Sequence, residues 1–299
     1  MSIWARFFSP TPNCFFMTGT GRCGTMLLSR VLSCGTDTTC EHEGAVHVTH
    51  LNETCRTGHL GGLEQDVAEN IVPKVNRHQA SGGNFGISSA HLFPVFPILY
   101  DLFGRKARFI LLVRRPDTFV YSALARGFFD PGHPNGFEEV FPQASSEAGR
   151  AWPQMSPFEK CLWYWGYVNR MIWNWFQTLP EGLWRVQKIE ALDLSAVESL
   201  FTFLGIPDFA EHAHEIRDIL NVKVNATPGS GNNIEVNPYS IEKKIEDIST
   251  WSTEQKTMLE RWCAPLSEMF YPELCAYTIN RSGIILSDHQ NEAREADSL

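Results

Sequence analysis

The chain has 299 residues, of which 43% are hydrophobic and 20% charged, a composition typical of one large globular domain. Its formal net charge of -9 argues against non-specific binding to nucleic acid. An anionic ligand would therefore need local basic groups, for which Arg22, Arg114 and Arg115 are candidates.

Targeting signals and metal-binding patterns are weak in this sequence. No apolar run has the length of a membrane span, and the N-terminal residues contain no signal-peptide core or cleavage site. The eight cysteines form no CxxC pair, so we expect reduced thiols. A metal site near His47, His50 and His59 is conceivable, but no metal is predicted. These observations predict a cytoplasmic protein that binds neither membranes nor nucleic acid.

The first predicted element is a buried strand over residues 13–18, with an uninterrupted apolar run from Cys14 to Met17. Glycines follow at positions 19, 21 and 24. Residues 25–32 then carry apolar side chains at helical spacing. A glycine loop is therefore predicted to join a strand to a helix.

Strands and helices alternate along most of the remaining chain. Strands are predicted over residues 85–89, 108–113 and 183–186, and helices over residues 95–103, 117–126 and 194–204, the last stopped by Gly205. This alternation predicts an α/β protein with a P-loop-like three-layer fold, in which helices flank a central, mostly parallel sheet. We expect one domain over residues 1–286 and a polar, disordered tail over residues 287–299.

Two long segments lack this alternation. Residues 127–157 are rich in Gly, Pro, Ser and Phe and predict a substrate-binding loop or lid, with candidate pocket walls Phe128, Phe129, Phe137 and Phe141. Residues 224–238 form the second such segment. Between them, residues 158–176 predict an aromatic-rich helix whose tryptophans pack in the core.

The glycine loop over residues 19–25 is a candidate anion site. A helix N-terminus offers backbone N–H groups and a favourable dipole to negative charge. Glycines let the backbone approach phosphate oxygens closely. Arg22 adds a guanidinium that can hold a phosphate or sulfate with two hydrogen bonds, and Thr25 adds a hydroxyl donor.

The nearest generic motif is the P-loop, GxxxxGK[ST], whose glycine spacing is met by Gly19 and Gly24. Thr25 stands where the P-loop lysine should be, and Met26 stands where the magnesium-binding Ser/Thr should be. A site for ATP and magnesium would therefore lack two of its parts. This favours a phosphate ligand that needs no metal.

At these positions the sequence resembles the PAPS-dependent sulfotransferases, where PAPS is 3′-phosphoadenosine 5′-phosphosulfate. Their 5′-phosphosulfate loop reads approximately Gly-x-x-(Lys/Arg)-(Ser/Thr)-Gly-Thr-(Thr/Ser). Here it reads Gly19-Thr20-Gly21-Arg22-Cys23-Gly24-Thr25-Met26. Cys23 and Met26 depart from the pattern, and each departure removes a side-chain donor.

A second motif follows the strongest predicted strand. Arg114 stands at the strand's carboxyl end, where open α/β sheets bind ligands, and Ser122 lies eight residues later. The family's 3′-phosphate motif has an arginine followed by x-Pro and a serine at the same spacing. A 3′-phosphate is what separates PAPS from ATP or ADP.

The resemblance covers about residues 15–233. It implies PAPS as co-substrate, its desulfated form PAP as product, and a small-molecule acceptor. It also places a late nucleotide-closing loop over residues 225–233, with Asn225 and Thr227 as candidate contacts. A homodimer is a further expectation.

Two residues are candidates for the general base. His91 lies in a stretch similar to the Lys-x-His-Leu-Pro of cytosolic sulfotransferases, although Ser89 replaces the lysine. Glu43 lies in a stretch that resembles the one in which tyrosylprotein sulfotransferases and some bacterial relatives use a glutamate, and His42 beside it could orient the acceptor or substitute as the base. We prefer His91 as the base, with Arg22 stabilising the leaving phosphate.

The function expected from these motifs is sulfuryl transfer from PAPS to a hydroxyl or amine of a small molecule. The alternatives are a P-loop-type small-molecule kinase and a nucleotide-binding protein without catalytic activity. The first would bind ATP with magnesium, and the second would bind nucleotide without turnover. The acceptor itself is not determined by the sequence.

Overall fold

The computed structural model describes residues 13–133, 140–226, 234–236 and 246–277. The predicted tail over residues 287–299 lies outside the described residues, as do Thr227 and Phe137. Among the helices that are described, none combines the length and apolar character needed to cross a bilayer.

The centre of the fold is a five-stranded sheet in which all neighbouring strands are parallel. Its strands are β1 (Cys14–Gly19), β2 (Thr38–His42), β3 (Asn84–Ser88), β4 (Ala107–Val113) and β5 (Trp184–Lys188). Their spatial order is β2-β3-β1-β4-β5, so β1 is the central strand. A separate parallel pair is formed by β6 (Lys223–Ala226) and β7 (Ile234–Val236). The predicted α/β class with a parallel central sheet is confirmed.

Helices cover both faces of the sheet. Those that follow the strands are α1 (Thr25–Leu32), α2 (Val48–Thr57), α3 (Gly61–Asp66), α4 (Val72–Ala80), α5 (Phe96–Phe103) and α6 (Pro116–Ala125). The later helices are α7 (Glu147–Ala151), α8 (Pro157–Phe176), α9 (Leu194–Leu204), α10 (Phe209–Leu220), α11 (Thr253–Cys263) and α12 (Leu266–Phe270). A π-helical turn, Val67–Ile71, joins α3 to α4.

Alternate residues of β1 enter two separate apolar cores. Phe15 and Met17 pack in one core with residues of α1 and α9, whereas Cys14 and Phe16 pack in the other with residues of α5, α6 and α8. Successive strand residues point to opposite faces, so an uninterrupted apolar run indicates a strand buried on both sides. This is why the sequence of β1 carries no polar alternation.

The predicted elements agree with the observed ones to within one or two residues. The helix predicted over residues 194–204 is α9, and Gly205 ends it in the left-handed conformation at φ 69°. The aromatic-rich helix is α8, in which Trp165 is fully buried, as predicted for its tryptophans, and Tyr164 is fully buried as well. The tryptophans of this helix therefore serve mainly to fill the core.

The segment over residues 127–157 differs from the sequence-based expectation. It contains the short helix α7, whose N-terminus is capped by the Ser146 side chain. Phe129 is fully buried and packs against Trp152 and Tyr164, so it belongs to the core and not to a pocket wall. A five-residue helix is too short for periodicity to reveal, and apolar side chains in a loop are as able to fill a core as to line a pocket.

Candidate functional site

The glycine loop leaves the central strand and turns directly into α1. Gly24 occupies the position before α1 with φ 96°, and Arg22 is also left-handed, at φ 69°. A left-handed arginine is uncommon, and such strained backbone clusters at functional sites. Backbone N–H groups in a turn of this kind can converge on an anion.

Gly19 is required by a close approach of two strands. A Cβ atom at this position would lie 2.2 Å from the Leu112 carbonyl oxygen. We expect Gly19→Ala to lower the free energy of unfolding by about 3 kcal/mol or more, because a backbone atom cannot rotate away from the added methyl group. Urea denaturation measures this loss.

Gly82→Ala is the control for the Gly19 substitution. Gly82 has φ 79°, but no atom lies within 4 Å of the added Cβ, so only the strain of a left-handed alanine is expected, about 1–2 kcal/mol. Equal losses in the two variants would contradict the steric account of Gly19.

The two phosphate motifs meet in the folded chain. Arg22 Nε donates to Ser122 Oγ over 3.1 Å, and Arg114 Nη1 donates to the Arg22 carbonyl over 3.0 Å. Ser122 lies on α6, directly after the strand that ends before Arg114. Residues about one hundred positions apart therefore form one hydrogen-bonded unit at the carboxyl end of β1 and β4.

Arg114 is held in place from several directions. Its Nε donates to Thr118 Oγ1 over 3.1 Å, and its carbonyl oxygen accepts from Trp165 Nε1 over 2.8 Å. Trp165 is thus a core residue of α8 that also orients the site. The sequence predicted that the tryptophans of this helix pack in the core, and a buried tryptophan usually finds an acceptor for its indole N–H.

Positive charge is concentrated and partly desolvated at this site. Burial first, and then the guanidinium groups of Arg114 and Arg126, lower the pKa of Arg22 to about 10. Burial also lowers the pKa of Arg114, although the Glu190 carboxylate opposes the shift. With a pKa of about 10, Arg22 still carries its charge at neutral pH. An anion bound here would reduce the repulsion between the guanidinium groups and compensate for the hydration that they lose on burial.

Arg115 has a different role from Arg114, although both are basic candidates. Its Nη2 lies 2.8 Å from Asp117 Oδ2, and its backbone N–H donates to the Glu190 carboxylate. The hydrogen bond to Asp117 raises the pKa of Arg115. Its charge is therefore matched within the chain and is not directed to an anionic ligand.

Cys23 and Met26, the two departures from the family's loop, have different surroundings. Cys23 is fully buried in the core with α1 and α9, and burial raises the pKa of its thiol to about 12. Met26 lines an open cleft of about 550 Å³ between α1, β2 and α10. The Cys23 side chain therefore packs and does not donate to an anion.

The candidate bases lie in one cluster around Glu43. The Glu43 carboxylate accepts from Ser89 Oγ over 2.5 Å and from the Ala90 N–H over 3.2 Å. One carboxylate oxygen lies 3.6 Å from His91 Nδ1, and the other lies 3.6 Å from His42 Nε2. Glu43 itself is left-handed at φ 60°. The structure thus brings together three predicted residues and adds Ser89, which the sequence marked only as a departure.

His42 connects this cluster to the glycine loop. Its Nε2 lies 3.1 Å from Thr25 Oγ1, and burial lowers the pKa of its imidazole, although Glu43 opposes the shift. The imidazole is therefore neutral at pH 7 and able to accept a proton or a hydrogen bond. In addition, a Cβ placed on Gly21 would lie 3.9 Å from Ala90 Cβ, so the loop passes beside the residue that precedes His91.

The loop also contains a buried hydroxyl without a partner in the described part of the chain, and one contact that sequence reasoning missed. Thr20 Oγ1 is buried and has no hydrogen-bond partner among the described residues. The Gly21 N–H donates to the Tyr164 hydroxyl over 3.4 Å, a long bond supplied by α8. Asn225 lies in β6, whose side chains are not described, so its predicted contact to nucleotide stays a prediction.

Sequence comparison gives no relative: no protein-family model matches the chain, and no curated protein matches it. Among solved structures, the chain is similar to a sulfotransferase from Alicyclobacillus acidocaldarius, with 16% identity, 84% of this chain and 95% of that chain covered, and a TM-score of 0.43. It is also similar to mouse sulfotransferase SULT7A1 complexed with PAP, with 12% identity, 92% and 91% covered, and a TM-score of 0.49. The sulfotransferase domain of the Synechococcus PCC 7002 olefin synthase is a third, with 17% identity, 91% and 96% covered, and a TM-score of 0.37.

Proposed function

We propose that the chain is a sulfotransferase that moves a sulfuryl group from PAPS to a hydroxyl or amine of a small-molecule acceptor. The observation that carries this proposal is the hydrogen-bonded unit of Arg22, Arg114 and Ser122 beside the N-terminus of α1. Sequence motifs for a 5′-phosphosulfate and for a 3′-phosphate are adjacent there, as one nucleotide carrying both groups requires.

The residues of the site fit such a nucleotide. The loop over residues 19–25 offers backbone N–H groups, and the unsatisfied Thr20 hydroxyl is a further donor. Arg22 and Arg114 supply positive charges that have lost part of their hydration on burial. In this assignment, Arg22 and the loop hold the 5′-phosphosulfate, whereas Arg114 and Ser122 hold the 3′-phosphate.

The chemistry needs one base and one group that stabilises the leaving phosphate. The S–O bond to the 5′-phosphate oxygen breaks as a bond forms between sulfur and the acceptor atom, whose proton passes to His91 or Glu43. Negative charge develops on the leaving phosphate oxygen, where the Arg22 guanidinium would stabilise it. Glu43 is 3.6 Å from His91 and can stabilise its protonated form.

The direct test measures transfer of radiolabelled sulfate from PAPS to fractions of a metabolite extract, together with calorimetric titration of PAP and of ATP with magnesium. We expect labelled product in at least one fraction, binding of PAP, and weaker binding of ATP with magnesium. Tight binding of ATP with magnesium and phosphoryl transfer would instead identify a kinase. PAP binding without any labelled product would identify a nucleotide-binding protein without catalytic activity.

A further inference from the structure

A second cluster of ligand-type side chains lies just after the Glu43 loop. His47 precedes the first residue of α2, His50 lies within the first turn of α2, and Asp66 is the last residue of α3. The histidines are His-x-x-His in sequence, a spacing that places both rings at the same end of the helix. One atom from each of the three side chains lies within 4.8 Å of the others.

The carboxylate of Asp66 lies between the two imidazole rings. Asp66 Oδ1 lies 2.5 Å from His47 Nδ1, and Asp66 Oδ2 lies 3.0 Å from His50 Nδ1. Asp66 is only 1% exposed, and its Oδ2 is fixed by the backbone N–H of His47 over 2.8 Å. A buried carboxylate is thus held in a fixed position with both oxygens facing nitrogen donors.

The contact between His50 and Asp66 is a close ion-pair contact that lacks good hydrogen-bond alignment. Although His50 Nδ1 is 3.0 Å from the carboxylate, the atom is buried and has no aligned hydrogen-bond partner among the described residues. A buried nitrogen that faces a carboxylate without hydrogen-bond geometry calls for another partner. The side chain of His47 is 62% exposed, so the cluster is open to solvent on one side.

We propose that His47, His50 and Asp66 bind a divalent transition-metal ion of the zinc class. Two imidazole nitrogens and one carboxylate oxygen are a ligand set that such ions accept, and the exposed side leaves a fourth position for water. The backbone N–H of His47 on Asp66 supplies the kind of outer hydrogen bond that orients metal-binding carboxylates. Calcium and magnesium are disfavoured, because they prefer all-oxygen ligands.

An ion at this site would lie next to the segment that carries Glu43. Residues 44–46 connect Glu43 to His47, and both Ala45 and Val46 in this connection are buried. An ion bound by His47, His50 and Asp66 would tie the end of that connection to α3, some twenty residues further along the chain. The ion would therefore restrict the segment that carries Glu43.

Zinc binding to the full chain tests the proposal. After treatment with EDTA, we expect uptake of one Zn²⁺ ion per chain, measured by mass spectrometry of the metal and by competition with a chromophoric chelator. Co²⁺ should bind at the same site and give a visible d–d spectrum without a thiolate charge-transfer band, because none of the ligands is a cysteine. His50→Ala and Asp66→Asn should each weaken binding at least about 10-fold, since even outer-shell partners have effects of that size.

The pair His214 and Asp218 provides the matched control. His214 Nδ1 lies 3.2 Å from Asp218 Oδ2 on α10, and both side chains are well exposed. Among the residues that the structure describes, no third ligand-type side chain joins this pair. His214→Ala should leave zinc affinity unchanged. If Asp66→Asn does not fold, then His47→Ala and His50→Ala, whose side chains are partly exposed, decide the question. Three results would each overturn the proposal. They are failure to bind one Zn²⁺ per chain, a thiolate charge-transfer band in the Co²⁺ form, and equal zinc affinity in the wild type and both histidine variants.

Discussion

Replacing Arg22 by alanine is expected to lower kcat/KM for sulfuryl transfer by about 100- to 1000-fold, the size of effect seen when one donor to a developing oxyanion is removed. The reason is that Arg22 is the charged side chain of the glycine loop, while Cys23 is buried in the core and Met26 faces an open cleft. Steady-state kinetics with PAPS and an acceptor found in the transfer assay measure this change.

The left-handed backbone of Arg22 calls for a second substitution at the same position. Alanine at φ 69° would keep the strain while losing the side chain, whereas Arg22→Gly removes both. Similar activity losses in the two variants, with the glycine variant at least as stable, would assign the effect to the guanidinium. Recovery of activity in the glycine variant would instead show that the loop's shape matters and the charge does not.

Two controls separate the loop's charge from its packing. Cys23→Ser should leave kcat/KM within about 10-fold of wild type while lowering the free energy of unfolding by about 1–3 kcal/mol, because a hydroxyl replaces a thiol in an apolar core. Arg77→Ala removes an exposed arginine of α4 and should change neither quantity. Equal loss of activity in Arg22→Ala and Cys23→Ser would contradict the assignment.

Replacing His91 by alanine should reduce turnover by about 100- to 10,000-fold, the usual contribution of a general base. Binding of PAP should stay intact, because His91 lies in the Glu43 cluster and not in the unit formed by Arg22, Arg114 and Ser122. Single-turnover transfer and calorimetric titration of PAP measure the two quantities separately.

Glu43→Ala distinguishes the two candidate bases. Survival of turnover in His91→Ala together with its loss in Glu43→Ala would assign the base to the glutamate. If both variants lose turnover, the double variant shows how the two residues are related. When two residues act as one unit, the double variant loses no more activity than either single variant. His212→Ala, which removes a histidine of α10 bonded to Thr36, is the control expected to keep full activity.

The order of elements and the type of fold could be predicted because they depend on local patterns. The uninterrupted apolar run of β1 indicated burial on both faces, and Gly205 marked the end of α9. Neither signal depends on what the segment packs against. The short helix α7 and the burial of Phe129 had no comparable local signal.

The candidate site likewise has features that could be predicted from the sequence and features that could not. A strand, a glycine loop and a helix could be predicted from local patterns, and residue type and spacing identified Arg22, Arg114 and Ser122 as anion-binding candidates. The folded chain was needed to show that Arg22 and Ser122 are hydrogen-bonded and that Glu43 lies between His42 and His91. It was also needed to show that Cys23 is buried in the core. The physical reason is that parallel strands pair according to burial between distant segments. The carboxyl ends that become neighbours, and the direction of each loop side chain, follow from that packing and from no local pattern.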